Sequence, residues 1–113
     1  MKLKEITEKL KLKVLTAQSK LDVEVSGGYT SDLLSDVIAN SRSGNVWITL
    51  QTHQNIIAVA KLKELAGIIF VNNRTPDEET QKKAKEENIP LMTTEKTAFN
   101  ISGKLYELMS SEA

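Results

Sequence analysis

The fold class is decided by residues 46–71, which read VWITLQTHQNIIAVAKLKELAGIIFV. Residues 46–50 are mostly β-branched or aromatic and favour a strand. Residues 68–71 are apolar without interruption, as expected for an inner parallel strand that is buried on both faces. Between them, residues 55–66 form a predicted helix, which we expect Gly67 to close. A strand, a helix and a second strand of these lengths indicate a right-handed crossover and a parallel sheet.

The same alternation continues towards the carboxyl end of the chain. The apolar spacing and the turn residues predict a helix over residues 77–87 that ends at Asn88, a strand over residues 90–93 and a helix over residues 96–109. The helix over residues 77–87 is almost entirely polar, so we expect it to lie on the outside of the sheet.

Towards the amino end, the pattern predicts a helix over residues 3–10, a short strand over residues 14–16 and a helix over residues 31–42. Leu21, Val23 and Val25 alternate with polar residues, which predicts a half-buried strand, and Gly27-Gly28 is expected to form the turn after it. The chain is therefore predicted to have an α/β fold. Its mostly parallel sheet of four to six strands is built from βα repeats, with helices packed on it, in a single domain over residues 1–113.

The composition excludes several classes of function. The chain has 113 residues and no cysteine, which excludes disulfides, thiolate metal sites and cysteine nucleophiles. Its 15 basic and 15 acidic residues cancel, which argues against binding to nucleic acid. No apolar run is long enough to span a membrane, and the charged start does not resemble a signal peptide. We therefore expect a cytoplasmic protein with no cofactor, no metal and no membrane partner.

The helix over residues 55–66 indicates a role in assembly. Ile56 to Ala60 are all apolar and cover most of its circumference, so this helix needs burial on more than one side. The second side is either another part of the same subunit or a second copy of the chain. The sequence leaves both open, and a homodimer would use this helix or an edge of the sheet.

Polar residues follow the strands at the places where ligands bind in open parallel sheets, beyond the carboxyl ends of the strands. Helix N-termini at this edge would favour an anion such as phosphate. The candidate ligand-binding residues are Gly27, Gly28, Ser31, Thr52, His53, Asn72, Asn73, Arg74 and Thr94.

The same residues also have a purely structural interpretation. The sequence Thr75-Pro76-Asp77-Glu78 has the pattern of a helix capping box, and Thr52 and Thr94 are typical helix caps. The loops therefore either hold a ligand or simply begin the helices. The chain has no P-loop, no Gly-x-Gly-x-x-Gly and no Gly-x-Ser-x-Gly motif, so no catalytic machinery is recognisable.

Taken together, four stretches of the chain resemble the DRTGG domain family. These are Gly27-Gly28-Tyr29-x-Ser31-Asp32-Leu33-Leu34-Ser35-Asp36-Val37, Trp47-Ile48-Thr49-Leu50-Gln51-Thr52-His53-x-Asn55-Ile56, Pro76-Asp77-Glu78-Glu79 and Ile89-Pro90-Leu91. The chain is most similar to the stand-alone members related to the N-terminal domain of HPr kinase/phosphorylase. The kinase activity of that enzyme belongs to a separate P-loop domain, which this chain lacks.

The resemblance implies a non-enzymatic regulatory or assembly module with a mostly parallel sheet, usually paired as a homodimer. Such a module could sense a small anionic metabolite, for example an adenine nucleotide or another phosphorylated metabolite, or bind a protein partner. The chain departs from the family signature at two places. The family has Asp-Arg where this chain has Thr52-His53, and it has Thr-Gly-Gly where this chain has Val71-Asn72-Asn73. The alternative is a small enzyme that acts on a phosphorylated substrate through His53 and Arg74.

Overall fold

A computed structural model describes residues 1–112 of the chain. Within these residues, five strands form one sheet in the order β1-β5-β4-β3-β2. The strands are β1 (Lys13–Thr16), β2 (Gly27–Thr30), β3 (Asn45–Thr49), β4 (Gly67–Phe70) and β5 (Leu91–Thr93). The α-helices are α1 (Leu3–Lys9), α2 (Leu34–Asn40), α3 (Asn55–Leu62), α4 (Glu78–Glu87) and α5 (Ala98–Ser111), and a short 3-10 helix covers Gln18–Lys20.

Four of the strands, β2 to β5, are parallel, and each lies one place further across the sheet than the strand before it. Such regular steps place the connecting helices α2, α3 and α4 on one face, as right-handed crossovers require. Only β1 runs antiparallel, on the outer side of β5. The predicted α/β fold with a mostly parallel sheet is therefore confirmed.

Both faces of the sheet are covered, which explains the uninterrupted apolar strands. Trp47 of β3 and Ile68 of β4 belong to a core with α2, α3 and α4. Their neighbours Val46 and Ile69 belong to a second core with α1 and α5. Successive residues of a strand point to opposite faces, so a central strand between two layers of helices needs apolar side chains on both faces.

The strand predicted from Leu21, Val23 and Val25 is wrong. Residues 21–25 lie outside the sheet and make only an isolated bridge, between Glu24 and Lys2. The backbone N–H of Leu3 donates to the Val23 carbonyl at 3.0 Å, so this segment binds the start of α1. The alternating pattern reflects packing against α1, and the real edge strand, β2, begins at Gly27.

The two glycines at 27 and 28 therefore do not form the predicted turn. Gly28 lies in β2 beneath α5, where an added Cβ would be 2.7 Å from the Leu105 Cδ2 atom. The absence of a side chain lets α5 approach the edge strand closely.

The predicted end of α3 at Gly67 is also wrong. The helix ends at Leu62, Glu64 takes the left-handed conformation with φ 53°, and Gly67 is the first residue of β4. An added Cβ at Gly67 would lie 3.0 Å from the carbonyl oxygen of Pro90, the residue before β5. Close backbone approach, and not a helix cap, explains this glycine.

The apolar circumference of α3 is buried within one subunit. Ile56, Ile57, Val59 and Ala60 are all less than 7% exposed, because α3 lies on the sheet between α2 and α4. Only Ala58 of the apolar run is exposed. The hypothesis that residues 56–60 form the dimer surface is therefore wrong. An edge of the sheet, the other surface predicted for a homodimer, stays a prediction.

Candidate functional site

The carboxyl ends of the four parallel strands lie at one edge of the sheet, as predicted. Ser31 follows β2, Thr52 and His53 follow β3, residues 72–74 follow β4, and Thr94 follows β5. Gly27 and Gly28 lie at the start of β2, so they belong to the opposite edge.

Much of the polar capacity at this edge is used by the protein itself. The Asp32 Oδ1 atom accepts hydrogen bonds from the Thr49 hydroxyl at 2.8 Å and from the Leu50 N–H at 2.7 Å. The Gln51 amide donates to the Asp32 carbonyl at 2.7 Å. These bonds fix the loop after β2 to the loop after β3, with no ligand needed to hold them together.

The predicted capping residues act in other ways. Thr52 does not cap α3; its carbonyl oxygen accepts hydrogen bonds from the Asp77 N–H at 3.2 Å and the Thr80 hydroxyl at 2.6 Å. The predicted capping box is wrong, since α4 begins at Glu78 with Asp77 at the N-cap. Thr94 accepts from the Lys96 N–H at 3.2 Å, so it forms a turn before α5, which is capped instead by Thr97.

His53 and Arg74, the residues of the enzymatic alternative, are both exposed at this edge. The imidazole of His53 makes one hydrogen bond within residues 1–112, in which its Nδ1 atom accepts from the Asn55 N–H at 3.2 Å. The Arg74 carbonyl accepts from the Thr93 hydroxyl at 3.2 Å. No nucleophile or carboxylate of the described residues is hydrogen-bonded to His53, so this histidine serves the turn before α3.

Two of the candidate residues, Asn73 and Thr94, line a cavity of about 310 Å³ at the ends of β1 and β5. We call this cavity the lysine pocket, because Lys11, Lys13 and Lys96 also line it, together with Leu10, Thr93 and Glu95. The lysines come from separate parts of the chain. The antiparallel pairing of β1 with β5 places Lys13 directly opposite Thr93 and so brings these parts together.

Gly27 and Gly28 line a second, larger cavity of about 640 Å³, which we call the α5–β2 groove. One side is formed by the edge strand and Ser26. The other side is one face of α5, made by Phe99, Ser102, Gly103, Tyr106, Met109 and Ser110. The Thr30 and Ser102 hydroxyls are 2.7 Å apart and join the two sides. Phe99 is 90% exposed and Tyr106 is 76% exposed.

The edge strand is also fixed to α2 by a charged hydrogen bond. The Tyr29 hydroxyl donates to the Asp36 Oδ1 atom at 2.7 Å, and the Asn40 amide donates to the same oxygen at 2.8 Å. The bond from Tyr29, followed by that from Asn40, lowers the pKa of Asp36 from its ordinary value. The same bond raises the pKa of Tyr29, because the carboxylate stabilises the protonated phenol.

The structure thus divides the nine candidate residues among three places. Asn73 and Thr94 share the lysine pocket, and Gly27 and Gly28 share the α5–β2 groove. The other five, which are Ser31, Thr52, His53, Asn72 and Arg74, line neither cavity. Among the described residues there is no cluster of three metal-ligating side chains, and no helix that could cross a membrane.

No family model and no curated protein sequence matches this chain. Among solved structures, it is similar to the CBS and DRTGG domains of the regulatory region of Clostridium perfringens pyrophosphatase, complexed with the activator diadenosine tetraphosphate. The TM-score is 0.68 and the identity is 18%, over 92% of this chain and 45% of that chain. The likeness shows a shared fold, and this chain spans less than half the length of that structure.

Sequence reasoning named four residues of the two cavities but missed the lysines of one and the α5 face of the other, for different reasons. The lysines at 11 and 13 look like an ordinary solvated surface until β1 is paired with β5. The groove had a visible signal in α5. Ile101 and Leu105 are buried on one face, whereas Phe99 and Tyr106 are large apolar residues on another face, so this helix has more apolar surface than one packing face needs.

Proposed function

We propose that this chain is a non-enzymatic regulatory module of the DRTGG type, which acts as a homodimer and senses a small anionic metabolite such as an adenine nucleotide. The observation that carries the proposal is the α5–β2 groove with its two exposed aromatic rings. The resemblance in the sequence and the fold shared with a nucleotide-regulated pyrophosphatase region support the regulatory part.

The exposed aromatic rings favour an interface between proteins. The chain has only five aromatic residues, and two of them, Phe99 and Tyr106, are largely exposed on the same face of α5. Aromatic residues are enriched at protein interfaces, and clustered exposed apolar side chains on a soluble domain indicate a binding surface. By contrast, Leu62 is exposed alone at the end of α3, which is common on protein surfaces.

The edge strand supports a second copy of the chain as the occupant of this surface. One side of β2 pairs with β3, and its other side is an open sheet edge, since β2 is the last strand of the five. An open edge can pair with another strand through its unpaired backbone groups. Two copies of β2 related by a twofold axis perpendicular to the sheet would pair antiparallel and place their α5 helices side by side.

The sequence of α5 is complementary to itself about such an axis. If the axis passes beside Ser102 and Gly103, Phe99 comes three residues before this pair and Tyr106 three residues after it. In an antiparallel pair of helices, Phe99 would therefore pack on Tyr106 of the partner subunit. Small residues at the crossing point let the two helices approach closely. An isologous twofold interface of this kind is the commonest form of homodimer.

A role in binding is consistent with the use of His53 in the turn before α3, where its Nδ1 atom accepts from the Asn55 N–H at 3.2 Å. The pyrophosphatase region with the same fold was solved with diadenosine tetraphosphate, an adenine nucleotide that activates that enzyme. We therefore propose that the metabolite is a phosphorylated anion. Its binding would change the assembly of the dimer or the partners that the dimer binds.

The dimer is tested by light scattering on the wild-type chain and on Phe99→Ser combined with Tyr106→Ser. The wild type should have twice the 12.6 kDa mass of one chain, and the double variant should have the mass of one chain. Leu62→Ser is the matched control, because it also removes an exposed apolar side chain but lies outside the groove. A monomeric wild type, or a double variant that remains dimeric, would overturn the proposed interface.

A further inference from the structure

The lysine pocket has a local charge that the chain as a whole does not have. The complete sequence is neutral, with 15 basic and 15 acidic residues, but this pocket is lined by three lysines and one glutamate. Within residues 1–112, none of the three lysines has a carboxylate oxygen within 4.0 Å of its ammonium group. The side chains that line the pocket therefore carry two more positive charges than negative ones.

Hydrogen bonds hold the walls of this pocket in place. The Asn72 N–H donates to the Lys96 carbonyl at 2.9 Å, and the Asn73 N–H donates to the Thr94 carbonyl at 2.8 Å. These bonds fix the turn after β4 to the turn after β5. Lys11 is held at a left-handed φ of 54°, and Lys13 lies in β1 beside β5. The lysine backbones are thus fixed before any ligand arrives, which reduces the entropy that binding must overcome.

We propose that the lysine pocket binds the phosphate groups of a diphosphate or triphosphate metabolite. The lysine ammonium group is a compact charge that suits phosphate oxygens. Three lysines around one cavity match a ligand with several phosphates better than they match a ligand with a single carboxylate. The volume of about 310 Å³ is at the small end for ligand pockets, and no aromatic side chain lines it. The pocket therefore recognises the phosphate chain and leaves any nucleoside largely outside.

This inference rests on the proposed function, since it names the site for the metabolite-sensing part. It also proposes a narrower location for that site among the candidate residues. Asn73 and Thr94 belong to it, whereas His53 and Arg74 do not line it. Asn73 lines the pocket together with the three lysines, and its side-chain amide is a hydrogen-bond donor.

The test is titration calorimetry with inorganic triphosphate, ATP, AMP and adenosine on the full chain. Triphosphate and ATP should bind with similar affinity, AMP more weakly, and adenosine not at all. The affinity should fall as salt is added, because exposed charges are screened. The pocket variant combines Lys11→Asn, Lys13→Gln and Lys96→Gln. Asparagine is chosen at position 11 because it tolerates positive φ better than other residues with side chains.

The pocket variant should weaken ATP binding by about fivefold for each lysine removed and about a hundredfold in total. A control variant with Lys20→Gln, Lys82→Gln and Lys85→Gln removes the same charge from exposed positions outside the pocket and should bind like the wild type. Unfolding curves of both variants show whether the fold is intact. The single change Lys13→Gln gives a second, milder measurement if the triple variant is unstable.

Three results would overturn the inference, and they separate it from the proposed function. ATP binding that the pocket variant leaves unchanged would mean that the metabolite binds elsewhere, so sensing would stand without this pocket. Equal losses in the two triple variants would mean that only net charge matters. Failure of the wild type to bind triphosphate and ATP would refute both the phosphate site and the sensing role. The dimer would not be affected by that result, because light scattering tests it separately.

Discussion

Replacement of Gly103 by alanine should have opposite effects on the fold and on the dimer. Gly103 lies inside the 14-residue helix α5, and an added Cβ would meet no atom within 4 Å in the single subunit. Glycine inside a helix is less favourable than alanine by about 0.8–1.0 kcal/mol. Gly103→Ala should therefore raise the free energy of unfolding of the subunit by about 1 kcal/mol.

In the proposed dimer, the same methyl group would enter the crossing point of the two α5 helices. Extra atoms in a packed contact usually cost about 1–3 kcal/mol, which corresponds to a dissociation constant about 5 to 150 times higher. Nothing in the single subunit requires a glycine at position 103, although glycine weakens the helix. A close contact with a partner helix would explain it.

The two effects need separate assays, because dimerisation itself stabilises the folded chain by mass action. Urea unfolding should be measured in the background of Phe99→Ser and Tyr106→Ser, which we expect to be monomeric. Dimer dissociation should be measured by analytical ultracentrifugation of Gly103→Ala alone. Gly28→Ala is the control, since its Cβ would be 2.7 Å from Leu105 Cδ2 and should destabilise the subunit by about 1–3 kcal/mol.

Two results would refute this reasoning. A lower free energy of unfolding for Gly103→Ala in the monomeric background would contradict the open space around this residue. A stabilised subunit with an unchanged dissociation constant would mean that the helices do not cross at Gly103.

Three further predictions concern the edge strand, the sheet and the histidine. Tyr29→Phe should lower stability at neutral pH. The pKa of Asp36 is lower in the folded chain than its unfolded value of about 4, so its hydrogen bonds stabilise the fold above that pH. The difference in the free energy of unfolding between wild type and Tyr29→Phe should therefore shrink as the pH falls below this value and the carboxylate becomes protonated in the folded chain. Gly67→Ala should lower the free energy of unfolding by about 1–3 kcal/mol in urea, because its Cβ would press on the Pro90 carbonyl oxygen, and a stability equal to wild type would contradict this contact. His53→Ala should leave the calorimetric affinity for triphosphate unchanged, and a tenfold loss would mean that His53 contributes to the ligand site.

The centre of the fold could be predicted from the sequence because its signals are local and strong. The uninterrupted apolar run of β4 requires burial on both faces, and the helix and strand beside it have clear spacing. Crossover handedness then leaves few arrangements. The polar helix α4 was correctly predicted to end at Asn88, which has the left-handed φ of 59° typical of a helix end.

The errors in the fold arise where a distant contact decides the local structure. Residues 21–25 alternate like a strand, but their partner is the start of α1 and not the sheet. Gly28 and Gly67 resemble turn or cap residues, but each allows another element to approach, α5 in one case and β5 in the other. A glycine that forms a turn and a glycine that allows close packing look identical in a sequence, so the sequence alone cannot distinguish these two roles.

The candidate sites were harder to predict, because they depend on which loops meet. The general rule for parallel sheets places a ligand at the carboxyl ends of the strands, and Asn73 and Thr94 follow that rule. The antiparallel strand β1 brings Lys11 and Lys13 to the same place, and no local pattern predicts that pairing. The proposed role of the α5–β2 groove depends on a second molecule, which a single sequence does not describe.

The central claim, a homodimer formed through α5 and β2, is tested most directly by a cross-link. The chain contains no cysteine, so Ser102→Cys places one thiol per subunit at the proposed crossing point. With a short bismaleimide, we predict a covalent species of twice the 12.6 kDa mass for Ser102→Cys and none for Leu62→Cys. No cross-link at position 102, or an equal yield at both positions, would contradict the dimer.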